Sequence, residues 1–174
     1  MKIDTLISGL LQVSRTGYMQ ISPTVINMNQ LIEEIIEAFQ FSVTKNNVRI
    51  IVEELPDCES DPIHINQIFS NLIDNAIKYS KRDADNEITV GGYIEMESIV
   101  YFVKDNGIGI DKKNYKKVFE IFRQINPENN NGMGLGMTIV SKLLKHIDGE
   151  IWLESELAKG STFFVKIPKK LKIH

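Results

Sequence analysis

The chain has 174 residues, of which 43% are hydrophobic and 25% are charged, and its formal net charge is −3. This length suits one hydrophobic core with a small appendage, and the balanced charge gives neither a basic stripe for nucleic acid nor an acidic tail. The single cysteine, Cys58, excludes an intrachain disulfide and fits a reducing compartment, and no apolar run is long enough to span a membrane. We therefore expect a cytoplasmic domain that contacts neither nucleic acid nor the membrane directly.

The first half of the chain is predicted to be mostly helical. The expected elements are a helical arm over 3–17, a second helix that begins after Asn27 or Asn29, a strand over 48–52 and a long helix over 62–80. Asp61 and Pro62 mark the start of the long helix, because aspartate is a good cap and proline fits the first helical position.

The second half alternates strands with short helices. The expected elements are strands over 87–95 and 98–104, a short helix over 114–122, a helix over 134–147, and strands over 150–155 and 161–167. This order predicts an α/β (α+β) two-layer sandwich, in which a mixed five-stranded sheet carries three helices on one face.

Polar residues recur at helical spacing on the long helix. Asn71, Asn75 and Lys78 are four and three residues apart, so they share one face. The Asn75 carbonyl is a hard ligand that suits Mg²⁺ alongside phosphate oxygens, and Lys78 supplies a point charge for the same phosphates. On these residues alone, an ordinary solvated helix face remains an alternative.

Two segments are rich in glycine. The segment 105–110 places Asp105 at a strand end before Gly107 and Gly109, where a carboxylate could accept a hydrogen bond from an exocyclic amino group. The segment 132–136 opens a helix, and helix N-termini attract anions such as phosphate. Taken singly, the first segment could be a simple turn and the second a flexible loop.

The order and spacing of these segments resemble the ATP-binding catalytic domain of sensor histidine kinases. That family belongs to the Bergerat-fold superfamily, with gyrase, mismatch-repair and heat-shock chaperone ATPases. The resemblance covers about residues 25–168. The matching segments are the N box at 71–79, the G1 box at 105–110, the F box at 119–122 and the G2 box at 132–136.

The resemblance implies the Bergerat ATP-binding fold, with ATP and Mg²⁺ as ligands. Asp105 binds the adenine amino group, Asn75 is the Mg²⁺ ligand, and Phe119 and Phe122 anchor the base of a lid. The residues implied to contact ATP are Asn71, Asn75, Lys78, Tyr79, Asp105, Gly107, Gly109, Ile110, Phe122, Gly132, Gly134, Leu135, Gly136 and Thr162.

The resemblance also implies a reaction class. Hydrolases of the superfamily carry a water-activating glutamate one turn before the metal asparagine, where this chain has Asn71, an amide that is no useful base. A protein-histidine kinase that transfers the γ-phosphate to a separate acceptor is therefore favoured. His64, His146 and His174 all lack the sequence context of a phospho-acceptor, so this chain is not expected to phosphorylate itself alone.

The domain organisation follows from the same resemblance. Residues 1–22 match the end of a dimerisation and phospho-acceptor helix, and residues 23–174 match the catalytic domain. The implied partners are the phospho-acceptor helix, in the same subunit or in the partner of a homodimer, and the receiver domain of a response regulator. The full-length protein could be tethered to a membrane upstream.

Two other functions compete with this one. A serine kinase of the anti-sigma type would use similar boxes, but such proteins usually carry a glutamate near Asn71. A degenerate module that binds partners without catalysis is also possible, although Asp105, Asn75 and the three G2-box glycines are all present.

Overall fold

The computed structural model of the protein describes residues 21–81, 85–120 and 135–170. The helices are α1 (Met28–Ala38), α2 (Gln40–Lys45), α3 (Pro62–Lys78) and α4 (Gly136–His146). The strands are β1 (Thr24–Ile26), β2 (Val48–Val52), β3 (Cys58–Ser60), β4 (Asn86–Glu95), β5 (Ser98–Asp105), β6 (Glu150–Glu156) and β7 (Gly160–Pro168). The arm expected over 3–17 and the site residues Phe122, Gly132 and Gly134 lie outside the described residues.

Five strands form a mixed sheet in the order β2-β4-β5-β7-β6. β2 runs parallel to β4, while the other neighbouring pairs are antiparallel. The parallel pair requires a long connection, which contains α3. The mixed five-stranded sheet expected from the sequence is thus confirmed. β1 and β3 form a separate two-stranded antiparallel sheet, which the sequence analysis missed because three-residue strands carry too little alternation to detect.

Helices α1, α3 and α4 pack together and cover one face of the sheet. α3 lies centrally, and its apolar stripe, which includes Phe69, Leu72 and Ile73, is almost fully buried. Phe69 meets Tyr101 of β5 edge-on, with ring centroids 5.5 Å apart. α3 therefore has a fixed rotation against the sheet, and this rotation decides which of its polar residues face away from the core. No helix among the described residues is both long and apolar enough to cross a membrane.

Two helices differ from expectation. In the part of the helix expected over 114–122 that the structure describes, up to residue 120, the chain instead forms 3-10 turns, at Lys112–Asn114 and Lys116–Phe119. The Asp111 side chain accepts a hydrogen bond from the Lys113 amide at 3.0 Å, and the Asp111 carbonyl accepts one from the Asn114 amide, which favours the tighter turn. The G2-box helix begins at Gly136, not at 134, and ends at His146.

Asp61 joins three segments at the start of α3. Its Oδ1 accepts hydrogen bonds from the amides of Ile63 and His64 and lies 2.8 Å from His64 Nδ1, while its Oδ2 accepts one from the Ser22 amide at 2.9 Å. Burial raises the pKa of Asp61, but the hydrogen bonds from His64 and Ser22 outweigh it and leave the pKa below the usual value. The carboxylate is therefore both a helix cap and an anchor for the incoming chain.

Replacing Asp61 by alanine should lower the free energy of unfolding by about 2 kcal/mol, because a cap and two further hydrogen bonds are lost. Since the folded pKa is depressed, this contribution is complete above pH 3.8 and is lost as the pH falls through the folded pKa. Chemical denaturation at pH 7 and at pH 3 checks the result, with exposed Asp85→Ala as control. An equal loss for both variants would contradict the assignment.

The opposite face of the sheet carries a row of aromatic side chains. Phe102, Phe164 and Trp152 are in register across β5, β7 and β6. Trp152 stacks on Phe164 with a centroid distance of 5.2 Å and an interplanar angle of 9°. All three are half-buried. Because side chains alternate along a strand, Phe102 faces away from Asp105, three residues later.

Candidate functional site

Asp105 ends the central strand β5 and is 8% exposed. Its Oδ1 accepts hydrogen bonds from the Gly107 amide at 2.8 Å and the Ser161 amide at 3.2 Å. Its Oδ2 accepts none from any described residue. One oxygen is thus fixed by the backbone, and the other is available to accept a hydrogen bond from a ligand.

Burial raises the pKa of Asp105 to about 6, and the amides of Gly107 and Ser161, together with the charge of Lys81, limit the rise. At neutral pH the group is therefore ionised and can only accept hydrogen bonds. A partly desolvated acceptor of this kind favours a ligand that donates, such as an exocyclic amino group.

The loop after β5 is held against two other segments. The Ile108 amide donates to the Tyr79 carbonyl at 3.1 Å, at the C-terminal end of α3. A Cβ on Gly107 would lie 2.4 Å from that same carbonyl oxygen, so the close approach requires glycine. The Ile110 amide donates to Ser155 Oγ at 2.8 Å. The G1 loop is therefore fixed to the end of the N-box helix by its backbone.

The polar face of α3 carries three side chains that differ in their hydrogen bonds and ion pairs. The Asn71 side chain donates to the Gln67 carbonyl at 2.7 Å, and Lys78 forms an exposed ion pair with Asp74. The side-chain amide of the half-buried Asn75 makes no hydrogen bond to any other described residue. Asn75 is therefore the group on this face that is available to a ligand, and an exposed ion pair such as that of Lys78 is weak enough to exchange for phosphate.

The start of α4 lies beside Asn71. Gly136 is the first residue of the helix, and a Cβ on it would lie 2.9 Å from Asn71 Oδ1. Leu135 is the N-cap but supplies no side-chain hydrogen bond, and its own side chain is buried in the core. Among the described residues, no N-cap side chain therefore bonds the first-turn amides, which suits binding of an anion, and Leu135 can contribute only through its backbone.

These contacts bring parts of all three glycine- and asparagine-containing segments together. α3 meets the start of α4 at Asn71 and the G1 loop at Tyr79, and these positions are about 12 Å apart along the helix. Asn75 lies midway between them. The N-box helix thus adjoins both the G1 loop and the start of α4.

Thr162 corrects the sequence analysis. In the β5–β7 register, Thr162 is opposite Lys104, and Ser161 is opposite Asp105. Since successive side chains point to opposite faces, Thr162 lies on the face that carries Phe102, and the buried Ser161 lies on the Asp105 face. The alternation of Phe163, Val165 and Ile167 as buried residues could have identified Ser161 from the sequence.

A cation at this region would have few protein ligands. Among the described residues, no three histidine, cysteine, aspartate or glutamate side chains cluster closely enough to hold a metal ion. The Asn75 carbonyl oxygen fits Mg²⁺, which usually takes one or two protein ligands and completes its shell with phosphate oxygens and water. The donor set therefore fits Mg²⁺ only together with a phosphate ligand.

Residues 60–171 match the model of the histidine kinase-, DNA gyrase B- and HSP90-like ATPase family. This chain belongs to that family. It is 34% identical over 168 residues to cyanobacterial phytochrome B of a Nostoc species, covering 94% of this chain and 22% of that protein. The chain spans about a fifth of the length of the first curated relatives that it matches, with shares of 22%, 19% and 22%.

Solved structures share the fold of this ATPase domain. The catalytic domain of the histidine kinase ThkA, in a nucleotide-free form, is 27% identical with a TM-score of 0.74, covering 87% of this chain and 97% of that one. ThkA in complex with the response regulator protein TrrA superposes with a TM-score of 0.76 at 23% identity, covering 97% and 48%. Full-length ShkA in complex with AMPPNP gives 0.83 at 22% identity, covering 98% and 36%.

Proposed function

We propose that this ATPase domain binds Mg-ATP and donates the γ-phosphate to a histidine outside these 174 residues, within a sensor histidine kinase that passes the phosphate to a response regulator. The observation that carries the proposal is the pairing of a buried, ionised Asp105, whose Oδ2 is available, with an available Asn75 amide on the adjoining helix. The family match and the AMPPNP complex of ShkA support the nucleotide.

Each end of ATP would have its own set of residues. Asp105 Oδ2 would accept a hydrogen bond from the adenine amino group, and Gly107 and Gly109 would lie beside the ring. Among the residues that bind adenine, Ser161 would take the place of Thr162. The α4 N-terminus and Lys78 would bind phosphate oxygens through charge and amide hydrogens. Mg²⁺, when bound, neutralises phosphate charge, and Asn75 would hold it. Phe122, Gly132 and Gly134 remain proposed contacts from outside the described residues.

Asn71 favours transfer over hydrolysis. It stands where a water-activating carboxylate would be needed, and its amide donates to the Gln67 carbonyl, so it cannot take a proton from water. Phosphoryl transfer needs mainly positioning and charge neutralisation, which the remaining residues can supply. The acceptor would be a helix of the same subunit or of a second subunit, and the TrrA complex of ThkA supports a receiver domain as the later partner.

The domain boundary is part of the proposal. Ser22 is fixed to Asp61 by a hydrogen bond of 2.9 Å, and β1 begins two residues later and pairs with β3. The catalytic domain would therefore begin near residue 23, and residues 1–22 would belong to the dimerisation and phospho-acceptor helix. Because its substrate is ATP, we place this domain in the cytoplasm.

The Asn75→Ala variant tests the metal–phosphate half of the site. Removing the side-chain oxygen that Asn75 offers to Mg²⁺ should raise the Kd for Mg-AMPPNP by roughly tenfold or more, while the Kd measured in EDTA stays nearly constant. Isothermal titration calorimetry with AMPPNP, once with Mg²⁺ and once in EDTA, measures the two Kd values. Asn66→Ala, an exposed amide on the same helix, is the matched control.

The result also separates the proposed function from a module without catalysis. In the full-length kinase, Asn75→Ala should abolish formation of acid-labile phosphate from labelled ATP, and Asn66→Ala should leave it unchanged. Unaltered phosphorylation in the Asn75 variant, or tight Mg-AMPPNP binding that ignores this substitution, would contradict the proposal.

A further inference from the structure

A hydrogen-bonded cluster lies next to Asp105, at the β6–β7 hairpin. It is formed by Tyr115, from the turn between the two 3-10 segments, and by Ser155 and Ser161 of the β6–β7 hairpin. We propose that Tyr115 and Ser155 are positioning residues that set the aim of the Asp105 carboxylate toward the amino group of adenine. This inference rests on the proposed function and adds the specificity of the same site.

Ser155 Oγ is the centre of the cluster. It accepts a hydrogen bond from the Ile110 amide at 2.8 Å, donates to the Gly160 carbonyl at 2.8 Å, and lies 2.8 Å from Ser161 Oγ. A single hydroxyl thus joins the end of the G1 loop to both strands of the hairpin. The loop is bound to the hairpin a second time by the Ala158 amide, which donates to the Ile108 carbonyl at 2.7 Å.

Tyr115 fixes the backbone of Ser155, the residue whose hydroxyl is at the centre of the cluster. β6 is at the edge of the sheet, and Ser155 has no neighbouring strand on its outer side among the residues that the structure describes. The Tyr115 hydroxyl accepts a hydrogen bond from the Ser155 amide at 2.8 Å and donates one to the Ser155 carbonyl. One phenol therefore takes the place of a further strand at this residue. Phenylalanine could fill the same volume but could satisfy neither backbone group.

The cluster reaches Asp105 through β7. The Ser161 amide donates to Asp105 Oδ1, and a Cβ on Gly160 would lie 2.0 Å from the Asp105 carbonyl oxygen, so the two backbones are in close contact. A shift of the hairpin at Ser155 would be passed on to Oδ1 and would turn Oδ2 away from its ligand. Hydrogen bonds weaken steeply with misalignment, so a small rotation is enough to matter.

The test compares two nucleotides that differ only in the amino group. The probes are ATP and purine riboside triphosphate, which lacks the exocyclic amine, both with Mg²⁺ in calorimetry on the full chain. Wild-type protein should prefer ATP by roughly tenfold to a hundredfold, as expected for a hydrogen bond to a charged acceptor. Tyr115→Phe should reduce this preference about fivefold and leave the Kd for purine riboside triphosphate within about twofold.

A second substitution keeps the test decisive if Tyr115→Phe folds poorly. Ser155→Ala should reduce the preference by a similar factor, and the double variant should lose little more than the larger single effect, because both residues act through one path. Tyr93→Phe, at an exposed tyrosine on β4, is the matched control and should retain the wild-type preference.

The outcomes are distinct. If the cluster only stabilises the fold, the substitutions would weaken the binding of both nucleotides equally and leave the ratio of the two Kd values unchanged, which would overturn the inference. A wild-type ratio in both variants, with no loss of affinity, would overturn it as well. If the wild-type protein itself binds no nucleotide, or does not distinguish the amino group, the proposed function fails and not only this addition to it.

Discussion

The Asp105→Asn variant is expected to lose nucleotide binding and to become more stable than the wild-type protein above about pH 6. The amide can still accept hydrogen bonds from Gly107 and Ser161 through one oxygen, but an NH₂ group then replaces Oδ2. Two donors would face each other at the adenine amino group. Affinity for ATP should fall by roughly a hundredfold.

The gain in stability follows from the raised pKa of Asp105, about 6 against an ordinary 3.8. The folded protein holds this proton more tightly than the unfolded chain, so wild-type stability falls as the pH rises through that window. Two pKa units correspond to at most about 3 kcal/mol. The asparagine variant carries no such titration, so its advantage should grow between about pH 4 and pH 6 and stay constant above pH 6.

Denaturation curves at pH 4, 5, 6 and 7 measure this difference, and calorimetry with AMPPNP measures binding. Asp85→Asn, at an exposed carboxylate, should leave the pH dependence unchanged. In the wild-type protein, ATP affinity should weaken below about pH 6, as Asp105 becomes protonated. If the Asp105→Asn variant binds ATP normally, or if its stability parallels that of the wild type at every pH, the assignment of Asp105 to the site is wrong.

The Gly109→Ala variant is expected to be severely destabilised, by more than about 3 kcal/mol. Gly109 has a φ of 68°, and a Cβ on it would lie 2.0 Å from the Glu156 carbonyl oxygen. The loop cannot retreat, because the residues on both sides of Gly109 are hydrogen-bonded to the β6–β7 hairpin. Relief of the clash would require those bonds to break.

Ala158 provides the matched control for this substitution. Ala158 lies in the turn of the β6–β7 hairpin and already has a φ of 64°. Its side chain is exposed, so a Cβ in the left-handed region is tolerated at this position. Ala158→Gly should change the free energy of unfolding by no more than about 1 kcal/mol. Thermal and urea unfolding of both variants check the contrast. Similar small effects would show that the loop and the hairpin can separate.

The sheet and the long helix could be predicted because their signals are local and repeated. Runs rich in β-branched and aromatic residues define β4, β5 and β7, and the cap formed by Asp61 and Pro62 fixes the start of α3. The roles proposed for Asp105, Asn75 and Gly136 come from the family resemblance, and the structure shows only that the segments that carry them are neighbours. The 3-10 turns replaced a predicted helix because the local hydrogen bonds that Asp111 accepts from the Lys113 and Asn114 amides outweighed a weak helical pattern.

The remainder of the site depends on contacts between residues distant in sequence. The pairing of Tyr115 with Ser155 crosses 40 residues and caps a strand edge, and no local pattern shows which strand will be at the edge. The contact between Gly136 and Asn71 likewise depends on how two helices pack. Thr162 was assigned to the wrong face although strand alternation contained the answer, since the threonine was chosen by resemblance and not by register.

The aromatic row on the outer face has a practical consequence. Trp152 is the only tryptophan in the chain, and it stacks on Phe164 with the whole thickness of the sheet between it and Asp105. Its intrinsic fluorescence is therefore a reporter of whether the sheet is intact and is shielded from direct quenching by a bound purine. Unfolding can be followed optically in the presence of saturating ATP, with no added dye and no engineered label.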